Sequence, residues 1–260
     1  MLTIGSAGPW SLPLLALAAV AAGLINAVVG SGSLFTFPTL LGFGVPSVTA
    51  NVSNNLGLVP GNAAAAWGYR DRLVGQRRRV LGLLPASVIG SVVGAVLLLS
   101  LPATVFATAV PILIGLAVVL VLVQPRLQKR LSHNRTPSAG RERLGPVLLA
   151  GTFAAGVYGG YFGAAQGVLL IGLLGATLPD DLQRLNALKN LLAFAVNTVA
   201  AITFAIAAPQ RIQPVIAITV AVGATIGGIL GARLGKRLPP LVYRIVIAVV
   251  GVVAIIALVR

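Results

Sequence analysis

The 260-residue sequence contains no cysteine, a single histidine and only four acidic residues. Without cysteine it can form neither a disulfide framework nor a thiolate metal site, and it has no thiol nucleophile. The acids are Asp71, Glu142, Asp180 and Asp181, and each falls in or beside a predicted loop. Cation pathways and carboxylate proton relays place such groups within the membrane, so the sequence argues against both.

The residues that are present are mostly apolar, and the charged ones are mostly basic. Apolar residues make up 57% of the chain and charged residues 9%, with a mean hydropathy of +1.00. This composition predicts an all-α polytopic membrane protein. The net charge of +15 does not indicate a nucleic-acid partner, because Lys and Arg lie mainly in short loops where they orient a chain in the bilayer. No enzyme, cofactor or metal motif is recognisable, so we expect none of the three.

Ten apolar segments are predicted to be helical, and two of them, 34–44 and 166–178, are too short to span a bilayer comfortably. These two fit the class of re-entrant segments. The longer segments are 11–30, 49–68, 80–100, 103–123, 146–163, 186–208, 214–232 and 240–259. No basic residue precedes the first of them, so we expect no cleaved signal peptide.

A run of small residues interrupts the chain before each short segment. The first run is Gly30, Ser31, Gly32 and Ser33; the second is Gly163, Ala164, Ala165 and Gln166, followed by Gly167. Irregular backbone at membrane depth is tolerated only where protein or a watery cavity satisfies it. Paired breaks expose backbone N–H groups and positive helix ends, which suit an anion near the midplane.

Residues 22–62 recur in weakened form at 155–197, and the clearest trace is three asparagines at identical spacing. They are Asn51, Asn55 and Asn62 in the first copy and Asn186, Asn190 and Asn197 in the second. Offsets of 0, 4 and 11 residues fall within about 40° of one another on a helix. Each amide in an apolar environment must bond another helix, an opened backbone, water or a solute. Interhelical bonding and the lining of a polar cavity both remain open for individual asparagines.

Lys189 lies inside the second asparagine helix and is the most deeply placed cation in the sequence. A lysine at the bilayer centre costs roughly 2.5–3.5 kcal/mol on insertion scales and usually faces a cavity or a partner. Because Lys189 is about one turn from the loop at 180–184, it could instead extend to the interface. The sequence leaves both positions open.

Loop charges predict opposite orientations for the two copies. The basic loops 70–79 and 124–145 are expected to be cytoplasmic, whereas equivalent loops of the second copy show the reverse bias. We therefore predict two inverted repeats, each a broken helix pair followed by three transmembrane helices. The predicted units are a first repeat at 1–123, a basic linker at 124–145 and a second repeat at 146–260.

Glycines at four-residue spacing form two further stripes, which we interpret as helix-packing surfaces rather than ligand contacts. They are Gly90 and Gly94 in one segment and Gly223, Gly227, Gly231 and Gly235 in another.

The stretch from Ala22 through Gly30–Ser33 to Pro38, with the helix at Asn51–Asn55, resembles the sulfite exporter TauE/SafE family. The stretch Ala155–Gly163 resembles the second repeat of that family, and the resemblance covers nearly the whole chain. It implies an inner-membrane exporter of sulfur-containing anions such as sulfite or organosulfonates. The glycine-rich signature of the family corresponds here to 30–33 and 163–167, where serines, alanines and Gln166 interrupt the glycines.

The sequence-based hypothesis is a secondary transporter with alternating access. A small oxyanion would bind between the repeats, held by the asparagine stripes and the backbone of both breaks, with Lys189 as a counter-charge. An anion channel, an uptake carrier and a membrane scaffold with no transport activity are the alternatives. The sequence leaves the oligomeric state open.

Overall fold

The structure is a computed structural model, which describes residues 10–133 and 144–234. Within these ranges the chain is helical and contains no strand. The α-helices are α1 (Ser11–Val28), α2 (Ser33–Gly42), α3 (Ser47–Gly68), α4 (Arg77–Ser100), α5 (Ala103–His133), α6 (Pro146–Tyr161), α7 (Gln166–Thr177), α8 (Leu182–Ala207) and α9 (Pro214–Leu234). Short 3-10 helices at Arg70–Leu73 and Pro209–Arg211 precede α4 and α9.

The predicted all-helical membrane fold is confirmed. Five of the described helices are long and apolar enough to cross a membrane, namely α1, α4, α5, α8 and α9. α3 has 22 residues, which is also long enough to cross a membrane, but its four asparagines make it less apolar than these five helices. The predicted segment at 240–259, Gly235, and the central part of the linker at 134–143 lie outside the described residues.

Both predicted breaks are present, and each ends one helix and begins a short one. α1 ends at Val28 and α2 begins at Ser33, while α6 ends at Tyr161 and α7 begins at Gln166. Gly30 and Gly163 follow the ends of α1 and α6 at the same distance, with φ of +88° and +77°. Glycine adopts this left-handed conformation without a steric penalty, which is why the chain can turn there. Ala165 adopts it as well, with φ of +59°.

Helices of the first predicted repeat pack mainly on helices of the second repeat rather than on one another. α1 packs mainly on α9, and α6 packs mainly on α4. Both contacts use the glycine stripes: a Cβ on Gly223 would lie 2.8 Å from Ala16 O, and one on Gly90 would lie 2.9 Å from Val157 N. The interpretation of these stripes as packing surfaces is therefore confirmed for the described glycines. The asparagine helices α3 and α8 contact each other, and they pack on α9 and α4 respectively.

Aromatic side chains fix the second break against the first copy. Phe162 lies in the break, and its ring packs edge-to-face on Phe37 of α2 with centroids 5.3 Å apart. Phe106 of α5 makes the same type of contact with Tyr161 at 5.5 Å. Such pairs contribute about 0.5–1.5 kcal/mol each beyond the area they bury. The break is therefore held by side chains from α2 and α5.

A polar cluster joins the two copies at the start of α4. Arg79 donates to the Asp180 carboxylate, and Arg184 Nε lies 3.0 Å from the same carboxylate. Gln76 Nε2 donates to Arg184 O at 3.0 Å, which adds a backbone link. Burial of Asp180 acts to raise its pKa, but the hydrogen bonds from Arg79 and Arg184 outweigh burial and lower the pKa below its usual range.

Candidate functional site

The second asparagine helix covers the broken end of α1. Asn190 Nδ2 donates to Ala27 O at 3.1 Å, and Asn186 Nδ2 donates to the same carbonyl at 3.3 Å. Lys189 Nζ donates to Asn26 O at 3.2 Å and to Ala27 O at 3.4 Å. The last carbonyls of a helix have no partner within it, and they form its negative end. α8 thus satisfies the end of α1 with two amides and one ammonium group.

The first asparagine helix does the same for α6. Asn51 Nδ2 donates to Tyr161 O, the last carbonyl of α6, at 3.0 Å. Asn51 and Asn186 occupy the same position in the two repeats. Each asparagine helix therefore caps the broken helix of the other copy, and the two breaks are satisfied across the interface between copies.

The two asparagine stripes meet directly at a single hydrogen bond. Asn55 Nδ2 donates to Asn197 Oδ1 at 2.9 Å, and both residues are buried. Asn197 Nδ2 donates to Ala193 O at 2.8 Å within its own helix. The second break lies beside this pair, because a Cβ on Gly163 would be 3.8 Å from Asn197 Oδ1 and 3.9 Å from Asn55 Nδ2. The stripes and the second break therefore form one polar region.

The backbones of the two breaks also touch. Gly167 N donates to Gly30 O at 3.0 Å, and a Cβ on Gly30 would lie 2.8 Å from the carbonyl carbon of Gly167. The sequence predicted that backbone N–H groups in the breaks are free to bind an anion. The N–H of Gly167 is not free, because it donates to Gly30 O. The contact requires that both residues lack a side chain, so the breaks approach as closely as two backbones can.

Asn26 is a site residue that the sequence analysis missed. Its amide donates to Asn62 Oδ1, and its own Oδ1 accepts from Gly32 N in the first break at 3.3 Å. With the breaks aligned, Gly159 takes the place of Asn26 in the second copy. Because Asn26 has no polar counterpart at Gly159, it does not appear in the repeated pattern of polar residues. The one sequence feature that could have identified Asn26 is its position four residues before Gly30, one helical turn from the first break.

Several buried polar atoms in this region bind no other described group. They are Ser31 Oγ, Asn54 Oδ1, Asn55 Oδ1, Asn62 Nδ2, and both Gln166 Nε2 and Oε1. Gln166 is 2% exposed and packs against Gly159, where a Cβ would lie 2.7 Å from its Nε2. A buried polar atom without a partner costs about 1–3 kcal/mol. These donors and acceptors are therefore able to bind a solute or water.

Lys189 is fully buried, so it does not extend to the interface. Its ammonium group faces the carbonyls of α1 and lies in the same helix as Asn186 and Asn190. No group of three or more His, Cys, Asp or Glu side chains that could hold a metal ion occurs among the described residues. The polar region thus combines amides, hydroxyls, backbone groups and one lysine side chain.

Every residue predicted for the site lies in or beside this region. The six stripe asparagines, Lys189, Gly30, Ser31, Gly32, Ser33, Ala164, Ala165 and Gln166 are buried, and Gly163 is half-buried. Asn51, Asn186 and Asn190 bind helix ends, whereas Asn55 and Asn197 bind each other. All of these bonds join different helices, so interhelical bonding is confirmed for these members, and the lining of a polar cavity stays a prediction.

Comparison with known proteins finds a family and related membrane transporter proteins. The profile of the family described as "Sulfite exporter TauE/SafE" matches residues 15–258. A "Probable membrane transporter protein" of Haemophilus influenzae is 28% identical over 190 residues, 67% of this chain and 69% of that protein. The "Probable membrane transporter protein YfcA" of Escherichia coli K12 is 28% identical over 191 residues, 70% of this chain and 68% of that protein.

Proposed function

Because the chain belongs to the sulfite exporter TauE/SafE family of membrane transporters, we propose that it is a secondary transporter for a small sulfur-containing anion. The substrate is sulfite or an organosulfonate such as sulfoacetate, and the protein exports it across the inner membrane by alternating access. The protein transports this anion without chemically changing it. The observation that carries the proposal is the Asn55–Asn197 hydrogen bond, through which both copies contribute to one buried polar region.

The contents of the polar region support an anionic solute. Lys189 is the one completely buried Lys, Arg, Asp or Glu among the described residues, and its charged form is positive. Asn62 Nδ2, Gln166 Nε2 and Ser31 Oγ are donors that bind no other described group. The acids that the structure describes, Asp71, Asp180 and Asp181, all lie outside the α-helices. Amide, hydroxyl and ammonium donors match the acceptor oxygens of a sulfite or sulfonate group.

Contacts at the helix ends support inverted halves. α8 begins beside the start of α4, where Asp180 meets Arg79, and this is the end at which α3 finishes. The start of α3 lies at the start of α9, where Gln213 N donates to Ser53 Oγ at 2.8 Å. α3 and α8 therefore begin at opposite ends of the molecule. In a pair of inverted repeats, one half can rock against the other and expose a site between them to each face in turn.

Membrane voltage would favour the outward direction. An inside-negative potential contributes about 2.3 kcal/mol per charge per 100 mV to the exit of an anion. The basic loop at 70–79 and the linker at 124–145 are cytoplasmic in this proposal, in accord with the positive-inside rule. Export down this potential requires no carboxylate proton relay within the spans.

A flux assay in proteoliposomes tests the function. The panel is sulfite, thiosulfate, sulfoacetate, taurine and sulfate, each measured with and without an imposed voltage. We expect saturable flux with counterflow for sulfite or sulfoacetate, and a faster efflux when the lumen is negative. Single-channel currents would instead identify a channel, voltage-independent inward accumulation an uptake carrier, and the absence of any flux a non-transport role.

Two substitutions test the site separately from the function. Asn55→Leu removes the bond between the stripes, and Asn190→Leu removes one cap of α1. We expect both variants to lose most of the flux, whereas Thr177→Val, which removes only a bond to Leu173 O within α7, should retain it. Wild-type flux in folded Asn55→Leu and Asn190→Leu proteins would remove the site assignment and leave the transport function intact.

A further inference from the structure

A crevice of about 270 Å³ lies outside the polar region, at the polar cluster that joins the two copies. Gly75, Arg78, Arg79, Leu144 and Arg184 line it. Leu144 packs on α4 at Gly82, and Gly75 turns the chain with φ of +81° beside the Arg184 guanidinium. The walls therefore come from both copies, and three of the five lining residues are arginines.

Asp180 neutralises only part of this charge. Its carboxylate accepts from Arg79 and from Arg184 Nε, and its Oδ1 also accepts from Asp181 N at 2.8 Å. The neighbouring Asp181 is engaged as the cap of α8, where its side chain accepts from Gln183 N at 3.0 Å. Three guanidinium groups outnumber the carboxylates of Asp180 and Asp181 even when both carboxylates are ionised. The site is therefore basic even with Asp180 ionised.

Two of the arginines, Arg78 and Arg184, have N–H donors that bind no described group. Arg78 is exposed and makes no hydrogen bond or ion pair with the described part of the chain. Arg184 donates from Nε to Asp180 and from Nη1 to Val74 O at 3.0 Å, so its Nη2 edge is available beside Gly75. Arg79 is 9% exposed and is fixed by Gln76 Oε1 and Asp180. The crevice thus combines a buried guanidinium group with two accessible ones.

We propose that this crevice is an anion-binding site for a tetrahedral oxyanion group, a free sulfate-type or phosphate-type ion or the phosphate of an anionic lipid. Arg78 and the Nη2 edge of Arg184 bind the oxygens, and Asp180 is an internal competitor for the same guanidinium groups. Arginine suits this role because its planar fork binds such oxygens in a bidentate manner. An anion here contacts both copies at once, so its binding strengthens their junction at this end of the molecule.

A local fluorescence assay tests the site without any measurement of transport. Because the sequence contains no cysteine, Val74→Cys provides a single labelling position for an environment-sensitive dye. Val74 is 73% exposed, and only its backbone carbonyl binds Arg184. Purified labelled protein in detergent is titrated with sodium sulfate against sodium chloride at equal ionic strength. We expect a saturable change with sulfate.

Matched variants locate the response. Arg78→Gln should weaken sulfate binding about tenfold through loss of a charge-assisted contact, and Arg77→Gln, the adjacent exposed arginine, should weaken it at most about twofold. Asp180→Asn should tighten binding several-fold because it frees two guanidinium groups. A missing saturable response, or equal effects of Arg78→Gln and Arg77→Gln, would overturn the proposal.

Nanodiscs identify the source of the oxyanion. If phosphatidylglycerol discs produce the dye response and reduce the effect of sulfate, relative to phosphatidylcholine discs, the ligand is a lipid phosphate. If the two kinds of disc give the same sulfate titration, the ligand is a free ion. A lipid response that persists in Arg78→Gln contradicts the site. The result is independent of whether the protein exports sulfite, because no flux is measured.

Discussion

Asn55 Nδ2 donates a 2.9 Å hydrogen bond to Asn197 Oδ1, across 142 residues of sequence. Asn55 lies four residues after the first asparagine of its stripe, whereas Asn197 lies eleven residues after the first asparagine of the other stripe. The bond therefore does not join equivalent positions of the two copies. Asn55 has its counterpart in Asn190, which caps α1 instead. The two equivalent asparagines thus have different partners, and the polar region is asymmetric despite the repeat.

A double-mutant cycle should detect the coupling of Asn55 and Asn197. Replacing either residue by Leu leaves the other amide without its partner, so we expect a loss of about 1–3 kcal/mol in the free energy of unfolding. The double variant should cost less than the sum of the two single variants, because neither orphaned amide remains. Thermal unfolding in detergent measures the effect. Combining Asn55→Leu with Thr177→Val, which lies at the end of α7, should give additive losses.

Lys189 and Asn54 occupy equivalent positions, which allows the buried charge to be moved between copies. Lys189→Asn should reduce anion flux about tenfold or more, since the region loses its one completely buried cation. Lys189→Arg retains the charge and should retain more of the flux. The swap Asn54→Lys with Lys189→Asn should recover part of it. Flux in Lys189→Asn equal to that of the wild type would exclude a role for this charge.

Alanine variants of Gly30 and Gly44 should distinguish the cost of a left-handed backbone from the cost of a steric clash. Both have positive φ, +88° and +77°, but a Cβ on Gly30 meets the backbone of Gly167, while one on Gly44 meets nothing within 4 Å. Gly44→Ala should therefore cost about 1–2 kcal/mol in the free energy of unfolding from the left-handed conformation alone. Gly30→Ala should cost clearly more and reduce flux, because the two breaks must separate. Equal melting temperatures for the two variants would contradict the close contact.

Acid should weaken the junction that Asp180 forms with Arg79 and Arg184. The hydrogen bonds lower the pKa of Asp180 in the folded state, so its stabilising contribution is complete above the unfolded carboxyl pKa of about 4. That contribution is lost as the pH falls through the lower, folded value. Melting temperatures measured from about pH 6 to about pH 2 should fall less steeply for Asp180→Asn than for the wild type. Asp71→Asn, at an exposed carboxylate, should follow the wild type.

Helix positions were predictable where hydropathy and helix length coincide. The predicted segment 49–68 and the observed Ser47–Gly68 agree closely, as do 214–232 and Pro214–Leu234. α4 begins three residues before its predicted start, because Arg77, Arg78 and Arg79 are helical although they are not apolar. α5 continues to His133, past the predicted end at 123, for the same reason: hydropathy marks contact with lipid, whereas a helix can continue beyond it.

Most members of the buried polar region were predictable, although Asn26 was not, and their pairing was not predictable; that they bind a substrate stays a prediction. Helical spacing placed the asparagines of each stripe on one face, and small residues located both breaks. Spacing within a helix carries no information on which residues meet across helices, so the bond from Asn51 to Tyr161 O had no signal. The sequence could not show whether the Lys189 side chain faces a partner or the interface for the same reason, because the carbonyls that bind it belong to another helix, α1. Arg79 and Asp180, 101 residues apart, were seen only as separate loop charges.

The exchange of partners between copies also affects how the protein is made. α1 is synthesised before its principal partner α9, which begins about 200 residues later. At translation rates of about 5–20 residues per second, α1 waits on the order of 10–40 s for that surface. Until then the α1 surface that later receives the glycines of α9 faces lipid or an insertase. A ribosome that stops after the first copy therefore leaves a helix with no native neighbour on that side, while two separately expressed copies can still supply each other with the missing partners.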